Sequence, residues 1–236
     1  MAEVILALDL PKATAVRRLL DRVPSVRWVK VGSMLFAREG PPLIRALIAE
    51  GRRVFLDLKW HDIPNTVTGA VGQARDLGVS LVTVHTLGGP AMLAAAARAA
   101  GASMSVVGVT VLTSHTPEEL GQVLGRSGPL VDVSAEVRRL ATMALEAGLA
   151  GTVCSPHEVA DVRAIFGSAG TFVVAGIRGV GDAVGDQARV ATAAQAAQAG
   201  ATHLVVGRPI LQAEQPERVF DELQREANQA VAGLPQ

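Results

Sequence analysis

RVFLDLKWHDIPNT, residues 53–66, begins as an apolar strand pattern and ends in a Pro-Asn pair that stops regular structure. Two charged residues, Asp57 and Lys59, interrupt the strand, and they should point the same way because strand side chains alternate between faces. A carboxylate and an ammonium on the inner face of an apolar strand are costly to bury unless each charge has a partner. Asp62 lies beyond the predicted strand end, where a loop could bring it, or its copy in a neighbouring subunit, towards the pair. The pattern predicts a structural ion pair or a functional charge cluster.

The composition of the chain is that of a globular protein with a sizeable core. Of its 236 residues, 49% are hydrophobic and 19% are charged, which argues against disorder. The formal net charge is +0, with no run of like charges, so the usual electrostatic signature of binding to nucleic acid or to an anionic membrane surface is missing.

The expected location follows from the cysteine count and from the N-terminal sequence. The single cysteine, Cys154, cannot form an internal disulfide, which suits a reducing compartment. Asp9 interrupts the apolar N-terminal run early, and no segment reaches the roughly 18 apolar residues of a membrane span. We expect a soluble, cytoplasmic protein.

The chain repeats one unit, in which a short β-branched run is followed by a helical stretch rich in Ala, Leu and Arg. This alternation predicts βα repeats and a parallel sheet. Eight strands are predicted, at residues 4–8, 28–31, 54–58, 81–84, 105–111, 151–153, 172–174 and 204–206. Most helical stretches end in a glycine that fits a left-handed C-terminal cap, namely Gly51, Gly78, Gly101, Gly148 and Gly200.

Eight strands, each with a following helix, predict a single-domain (β/α)8 TIM barrel over residues 1–236. A doubly wound open sheet is the alternative, but no Gly-x-Gly-x-x-Gly follows the first strand. No linker or low-complexity segment indicates a second domain. In a (β/α)8 barrel the active site lies at the carboxyl ends of the strands. Those ends carry, in chain order, Asp9, Lys30, Asp57 with Lys59, His85, Thr113, Cys154, Arg178 and Arg208, which favours an enzyme.

Two segments indicate a phosphate site. Barrels often bind phosphate with the loops that follow strands seven and eight, and here the eighth strand leads into Gly207-Arg208. The guanidinium fork of arginine suits phosphate oxygens. The loop after strand seven, residues 175–189, is glycine-rich and contains Arg178 and Gln187, which is typical of a mobile lid. The alternative is an ordinary surface loop.

The surroundings of Lys59 favour a cationic role. A Schiff-base lysine must be neutral and therefore needs apolar or cationic neighbours. Lys59 would lie beside Asp57, and Asp62 follows close behind, so the ammonium should stay protonated. Such a group could stabilise and then protonate a developing carbanion.

The stretch 57–66 resembles the D-x-K-x-x-D-I-P-N-T signature of the orotidine 5′-phosphate decarboxylase family. The resemblance extends over nearly the whole chain, through blocks that follow the family's order. These blocks are Ala7-Leu8-Asp9, residues 29–32, residues 109–114, Gly176-Ile177-Arg178, residues 185–190 and residues 205–210. Where the family usually has proline before Gly-Ile-Arg, this chain has Ala175, which lacks a fixed φ and should loosen the hinge of the lid.

The resemblance implies a cofactor-free decarboxylation of orotidine 5′-monophosphate (OMP) to UMP in pyrimidine biosynthesis, by a homodimer with active sites at the subunit interface. It implies catalytic roles for a charge array that includes Lys30. Lys59 would protonate C6 as CO2 leaves, and Asp57 would crowd the substrate carboxylate. Asp62 and Thr66 would reach in from the other subunit.

The same resemblance implies the contacts that bind the substrate. Asp9 and Lys30 would hold the ribose hydroxyls and complete the alternating charges. Thr113 would meet the pyrimidine, and Gln187 would bridge base and phosphate. The phosphate end would be served by Arg178, Gly207 and Arg208. No metal ligand is implied.

Two other functions remain open from the sequence. A magnesium-dependent decarboxylase of the 3-keto-L-gulonate 6-phosphate type shares the D-x-K-x-x-D core, although residues 63–66, Ile-Pro-Asn-Thr, argue against it. A non-catalytic barrel that binds a nucleotide would belong to a different class. The complete Asp57, Lys59 and Asp62 set argues against that function.

Overall fold

Eight parallel strands close into a barrel in chain order, with the first strand paired to the last. The computed structural model describes residues 2–126, 131–179 and 190–232. The strands are β1 Glu3–Ala7, β2 Trp28–Gly32, β3 Arg53–Trp60, β4 Leu81–His85, β5 Ser105–Val109, β6 Gly151–Cys154, β7 Thr171–Val174 and β8 His203–Val206. The predicted (β/α)8 barrel is therefore confirmed, and the open sheet is not observed.

Helices follow the strands and form the outer layer. They are α1 Ala13–Arg22, α2 Ser33–Ala49, α3 Pro64–Asp76, α4 Gly89–Ala100, α5 Pro117–Val123, α6 Val133–Glu146, α7 Val159–Phe166, α8 Ala193–Gln198, α9 Arg208–Leu211 and α10 Pro216–Ala232. None of the helices in the described part of the chain has the length and hydropathy needed to cross a lipid bilayer.

The eight strands begin and end within two residues of their predicted bounds, and the differences that affect the element order lie at β5 and directly after it. Strand β5 ends at Val109 and not at residue 111, and two helices, α5 and α6, follow it in place of one. A β-branched run carries no signal for the point where strand pairing stops, so the apolar pattern overestimates the strand. All five predicted helix-capping glycines have a positive φ, between 61° and 110°, which confirms their role at the helix ends.

The barrel interior is filled by one apolar side chain from each strand. This inner layer consists of Ile5, Trp28, Phe55, Leu81, Val107, Val153, Val173 and Val205. A larger apolar cluster joins the outer faces of the strands to the helices. Since side chains alternate along a strand, the residues two positions beyond the inner layer also point inward, at the carboxyl end of the barrel. The apolar layer therefore closes the barrel beneath its mouth.

An aromatic and basic cluster lies at the amino ends of the strands. The rings of Trp28 and His203 meet edge to face with centroids 5.0 Å apart, and the Arg53 guanidinium carbon lies 4.2 Å from the Trp28 ring centroid. Burial, together with a smaller contribution from the charge of Arg53, lowers the pKa of His203 to about 4. The imidazole is thus neutral in the folded protein at neutral pH.

Acid should destabilise the protein partly through His203. Between pH 6.5 and 4 the unfolded chain binds a proton on this ring that the folded protein does not, so the free energy of unfolding falls as the pH drops. The loss from one such group is at most about 1.4 kcal/mol per pH unit. In thermal or urea unfolding across this pH range, the free energy of unfolding of His203→Gln should fall less steeply than that of the wild type.

The exposed His157 provides the control, since His157→Gln should keep the wild-type pH dependence. The free energy of unfolding of His203→Gln should still fall in acid, because the pKa of the mostly buried His85 is also lowered, to about 4. Parallel pH profiles for the wild type and His203→Gln would contradict the assignment.

Candidate active site

A cavity of about 580 Å³ opens at the carboxyl ends of the strands, above the inner apolar layer. Its floor is apolar and includes Phe55, Val153, Val173 and Val205. Its walls carry most of the residues that the sequence singled out, namely Asp9, Lys30, Asp57, Lys59, Thr113, Arg178, Gly207 and Arg208. A space of this size, with an apolar floor and few convergent polar groups, has the properties of a small-molecule site.

The centre of the site is a row of alternating charges. The Lys59 ammonium lies 2.8 Å from both oxygens of Asp57, so the pair is bidentate. The Lys30 ammonium lies 2.9 Å from Asp9 Oδ1 and 3.9 Å from Asp57 Oδ2. The side chains of Lys30 and Asp57 are 12% and 13% exposed, whereas Lys59 is 40% exposed. Lys59 is thus the cation of the row that is more accessible to a molecule in the cavity.

The backbone at Lys59 is unusual. Its φ is +50°, and Lys59 is the one non-glycine residue with a positive φ in the described chain. The pairing of β3 with β4 shifts here, because Leu56 is opposite Val82 but Trp60 is opposite Val84. A left-handed conformation is unfavourable for a side chain of this kind and persists only where its surroundings hold it. The simple alternation of a regular strand therefore does not describe how Lys59 reaches the site.

Thr83 is the residue that holds this irregularity, and the sequence analysis missed it. Its hydroxyl oxygen accepts a hydrogen bond from the Lys59 N–H at 2.8 Å and donates one to Asp57 Oδ1 at 3.0 Å. Thr83 is fully buried in β4. A signal was available, because Thr83 is a polar residue between two valines and two positions beyond the inward-facing Leu81.

Asp62 and Thr66 do not join the charge row within one chain. Both are exposed, and Asp62 Oδ1 accepts a hydrogen bond from the neighbouring Ile63 N–H at 2.6 Å. Within residues 2–126, 131–179 and 190–232, no cationic nitrogen lies within 4.0 Å of the Asp62 carboxylate. The adjacent Ile63 side chain is 66% exposed, so the whole segment stands on the surface of the single chain.

The opposite wall of the cavity contains the predicted phosphate end. Gly176 follows β7 with a φ of +84°, a conformation that favours glycine. Arg178 is nearly buried, and its Nη1 donates to the Ile177 carbonyl at 2.8 Å. Arg208 begins α9 directly after Gly207, and both residues line the cavity. Gln187 and most of the predicted lid, residues 180–189, lie outside the described residues.

Two histidines lie beside the charge row. The rings of His61 and His85 stack with centroids 5.6 Å apart. Burial, together with smaller electrostatic contributions from His61, Lys59 and His115, lowers the pKa of His85 to about 4. His85 Nδ1 accepts a hydrogen bond from the Leu87 N–H at 3.4 Å, which leaves the proton of the neutral ring on Nε2. His85 is therefore a neutral neighbour of Lys59 and adds no positive charge.

The fold and the site define a (β/α)8-barrel enzyme with a charged mouth. A family model described as the Orotidine 5'-phosphate decarboxylase / HUMPS family matches residues 2–223. The chain belongs to this family.

Similar proteins cover almost the whole chain. An orotidine 5'-phosphate decarboxylase of Anaeromyxobacter sp. is 52% identical over 211 residues, which cover 89% of this chain and 91% of the relative. A protein of the same name from Alkalilimnicola ehrlichii is 48% identical over 229 residues, covering 95% and 96%. The crystal structure of orotidine 5'-phosphate decarboxylase from Lactobacillus acidophilus matches with a TM-score of 0.85 and 33% identity, over 97% of this chain and 100% of that one. The resemblance of the 57–66 signature to this family is thereby confirmed.

Proposed function

We propose that the protein is an orotidine 5′-phosphate decarboxylase that converts OMP to UMP and CO2 in pyrimidine biosynthesis. The observation that carries the proposal is the Lys30–Asp57–Lys59 row at the mouth of the barrel, in a chain of this family. We further propose that the reaction needs no cofactor or metal and takes place in the cytoplasm.

The proposed chemical step uses Lys59 as the proton donor. The bond between C6 of the pyrimidine and its carboxylate breaks, CO2 leaves, and the electron pair stays on C6. An N–H proton of the Lys59 ammonium passes to C6 and gives UMP, and the resulting amine regains a proton from solvent. This carbanion gains little from resonance, so a fixed ammonium beside it is the main available stabiliser. The 2.8 Å contacts with Asp57 support this role, because they fix the ammonium before the substrate arrives.

Asp57 has a second proposed role, towards the substrate carboxylate. Its side chain is 13% exposed and already holds Lys59 at 2.8 Å, so the pair would place a carboxylate beside that of the bound substrate. The repulsion would raise the energy of the bound substrate and would disappear as CO2 leaves. Binding energy from the distant phosphate would offset this cost. Asp9 and Lys30, joined at 2.9 Å, would hold the ribose hydroxyls.

The remaining walls fit the other parts of the nucleotide. The apolar floor would lie against the pyrimidine, with Thr113 at its edge. Arg178, Gly207 and Arg208 would bind the phosphate, and Gln187 would bridge base and phosphate. Arginine suits the phosphate because its planar fork can contact two oxygens at once.

The exposed segment around Asp62 supports a homodimer with shared sites. In a single chain the Asp62 carboxylate contacts no lysine of the row, and Thr66 and Ile63 are also exposed. A two-fold interface over this segment would bury Ile63 and bring Asp62 and Thr66 to the neighbouring site. Each active site would then need both chains.

The purified protein should decarboxylate OMP in the presence of EDTA. Loss of the orotate chromophore is the measurement, and Lys59→Ala should abolish turnover because it removes the proton donor and the cation together. Binding of UMP to Lys59→Ala is the control for an intact site. Turnover that EDTA stops, with activity on a keto-sugar phosphate, would favour the magnesium-dependent alternative. Tight binding of a UMP analogue without release of CO2 from OMP would favour the alternative of a non-catalytic barrel that binds a nucleotide.

Arg208→Ala should mainly weaken productive binding of the phosphate. We expect kcat/KM for OMP to fall by about ten- to a hundredfold, the effect of losing a hydrogen-bonded charge contact, and Arg208→Lys should lose less. Orotidine, which lacks the phosphate, is the matched control substrate. The variant and the wild type should decarboxylate orotidine at the same low rate, whereas unchanged kinetics with OMP would contradict the assignment.

The proposal that each active site uses residues of both subunits can be tested with heterodimers of two inactive variants. Lys59→Ala and Asp62→Ala subunits, coexpressed with different tags, should form heterodimers in which one site keeps both native residues and the other has lost both. Random pairing should restore about a quarter of the wild-type activity in a mixture of two nearly inactive variants. Recovery in the doubly tagged fraction is the measurement. No recovery in purified heterodimers would place Asp62 outside the neighbouring site.

A further inference from the structure

We infer that Thr83 is a positioning residue that holds Lys59 and Asp57 in the geometry needed for proton transfer. The inference rests on the proposed function, since it concerns the same charge row. Thr83 is not among the residues that line the cavity, and it is completely buried in β4. Its contribution would therefore act through its two hydrogen-bond partners and not through the substrate.

One hydroxyl fixes both members of the catalytic pair. Thr83 Oγ1 accepts from the backbone N–H of Lys59 at 2.8 Å and donates to Asp57 Oδ1 at 3.0 Å. A threonine hydroxyl has one donor and two acceptor positions, so it can make both bonds at once. The backbone of the cation and the side chain of the anion are thereby tied to the same atom.

The backbone bond matters because Lys59 is in a left-handed conformation. A φ of +50° is unfavourable for lysine and needs support from its surroundings. The regular pairing of β3 with β4 is interrupted between Leu56 and Trp60, so the strand ladder does not provide that support. The Thr83 hydroxyl takes the place of a strand partner for the Lys59 N–H.

The side-chain bond matters because it orients Asp57. Asp57 Oδ1 accepts hydrogen bonds from the Thr83 hydroxyl and from the Lys59 ammonium. Oδ2 accepts one from Lys59 and lies 3.9 Å from the Lys30 ammonium. Without the hydroxyl, the carboxylate would be held only by flexible lysine side chains. It could rotate and carry the Lys59 ammonium away from the position of C6. Small displacements of this kind are expensive in the transition state and cost little in ground-state binding.

The test compares Thr83→Val with Thr83→Ser. Valine keeps the shape and removes both bonds, whereas serine keeps the hydroxyl. With OMP, Thr83→Val should lose about ten- to a hundredfold in kcat, with KM changed by less than about threefold, and Thr83→Ser should stay close to the wild type. Thr86→Val is the matched control, because Thr86 is equally buried but donates to the Val109 carbonyl, away from the charge row.

Binding of two ligands separates positioning from general structural damage. UMP should bind Thr83→Val as tightly as it binds the wild type. A UMP analogue with an anionic oxygen at C6, which places negative charge where the carbanion forms, should bind more weakly by the same factor as the loss in kcat. Thermal unfolding establishes that the variant is folded at the assay temperature. If the valine variant is unfolded there, Thr83→Ala takes its place in the same comparison.

The outcomes are distinct from those of the proposed function. If the wild type turns over OMP and Thr83→Val has the same kcat, the inference is wrong while the function stands. Equal weakening of UMP and the C6-oxyanion analogue would also overturn it, as would a serine variant as slow as the valine variant. A wild type that releases no CO2 would overturn the proposed function and this inference with it.

Discussion

The contact between the Asp57 carboxylate and the Lys59 ammonium is the interaction on which the site depends. Both oxygens of Asp57 lie 2.8 Å from the same nitrogen, and one of them also faces Lys30 at 3.9 Å. A carboxylate that is only 13% exposed is costly to bury without a partner, and the two nearby ammonium groups offset that cost. The same arrangement keeps an ammonium at the edge of a cavity with an apolar floor, where its charge is only partly screened by water.

The barrel brings side chains from four different strands to the same height above the apolar floor, around the Asp57–Lys59 contact. Ala7, Lys30, Asp57 and Thr83 lie two residues beyond the inner-layer residues of β1 to β4, so all four point inward above the apolar floor. The closed parallel register keeps those levels aligned around the ring. Lys30, Asp57 and Lys59 are thereby held by strands, which gives the site a rigid base, while Asp9 follows the end of β1.

The sequence predicted most of the architecture and a large part of the site, for reasons that the structure makes clear. The β-branched runs and their capping glycines predicted the barrel, because each signal is local. The strand-end rule placed Asp9, Lys30, Thr113 and Arg208 on one cavity, and the structure has all four there. These features need no knowledge of how strands pair.

The features that were missed depend on pairing across strands. The left-handed Lys59 and its support by Thr83 come from a register shift between β3 and β4, which no pattern within one strand encodes. The end of β5 at Val109 likewise depends on pairing, because its ladders with β4 and β6 both stop there. Asp62 illustrates a different limit, because its proposed partner is in a second copy of the chain and one chain leaves it exposed.

The aromatic and basic cluster at the amino ends of the strands has a consequence for how this protein can change. Arg53 and His203 pack against Trp28 of the inner apolar layer, at the opposite ends of the strands from the charge row. Substitutions of Arg53 or His203 should therefore alter the stability of the protein in acid without removing a contact of the charge row. The two ends of the barrel can therefore vary separately in evolution. The amino ends of the strands affect stability in acid, and the carboxyl ends carry the charge row.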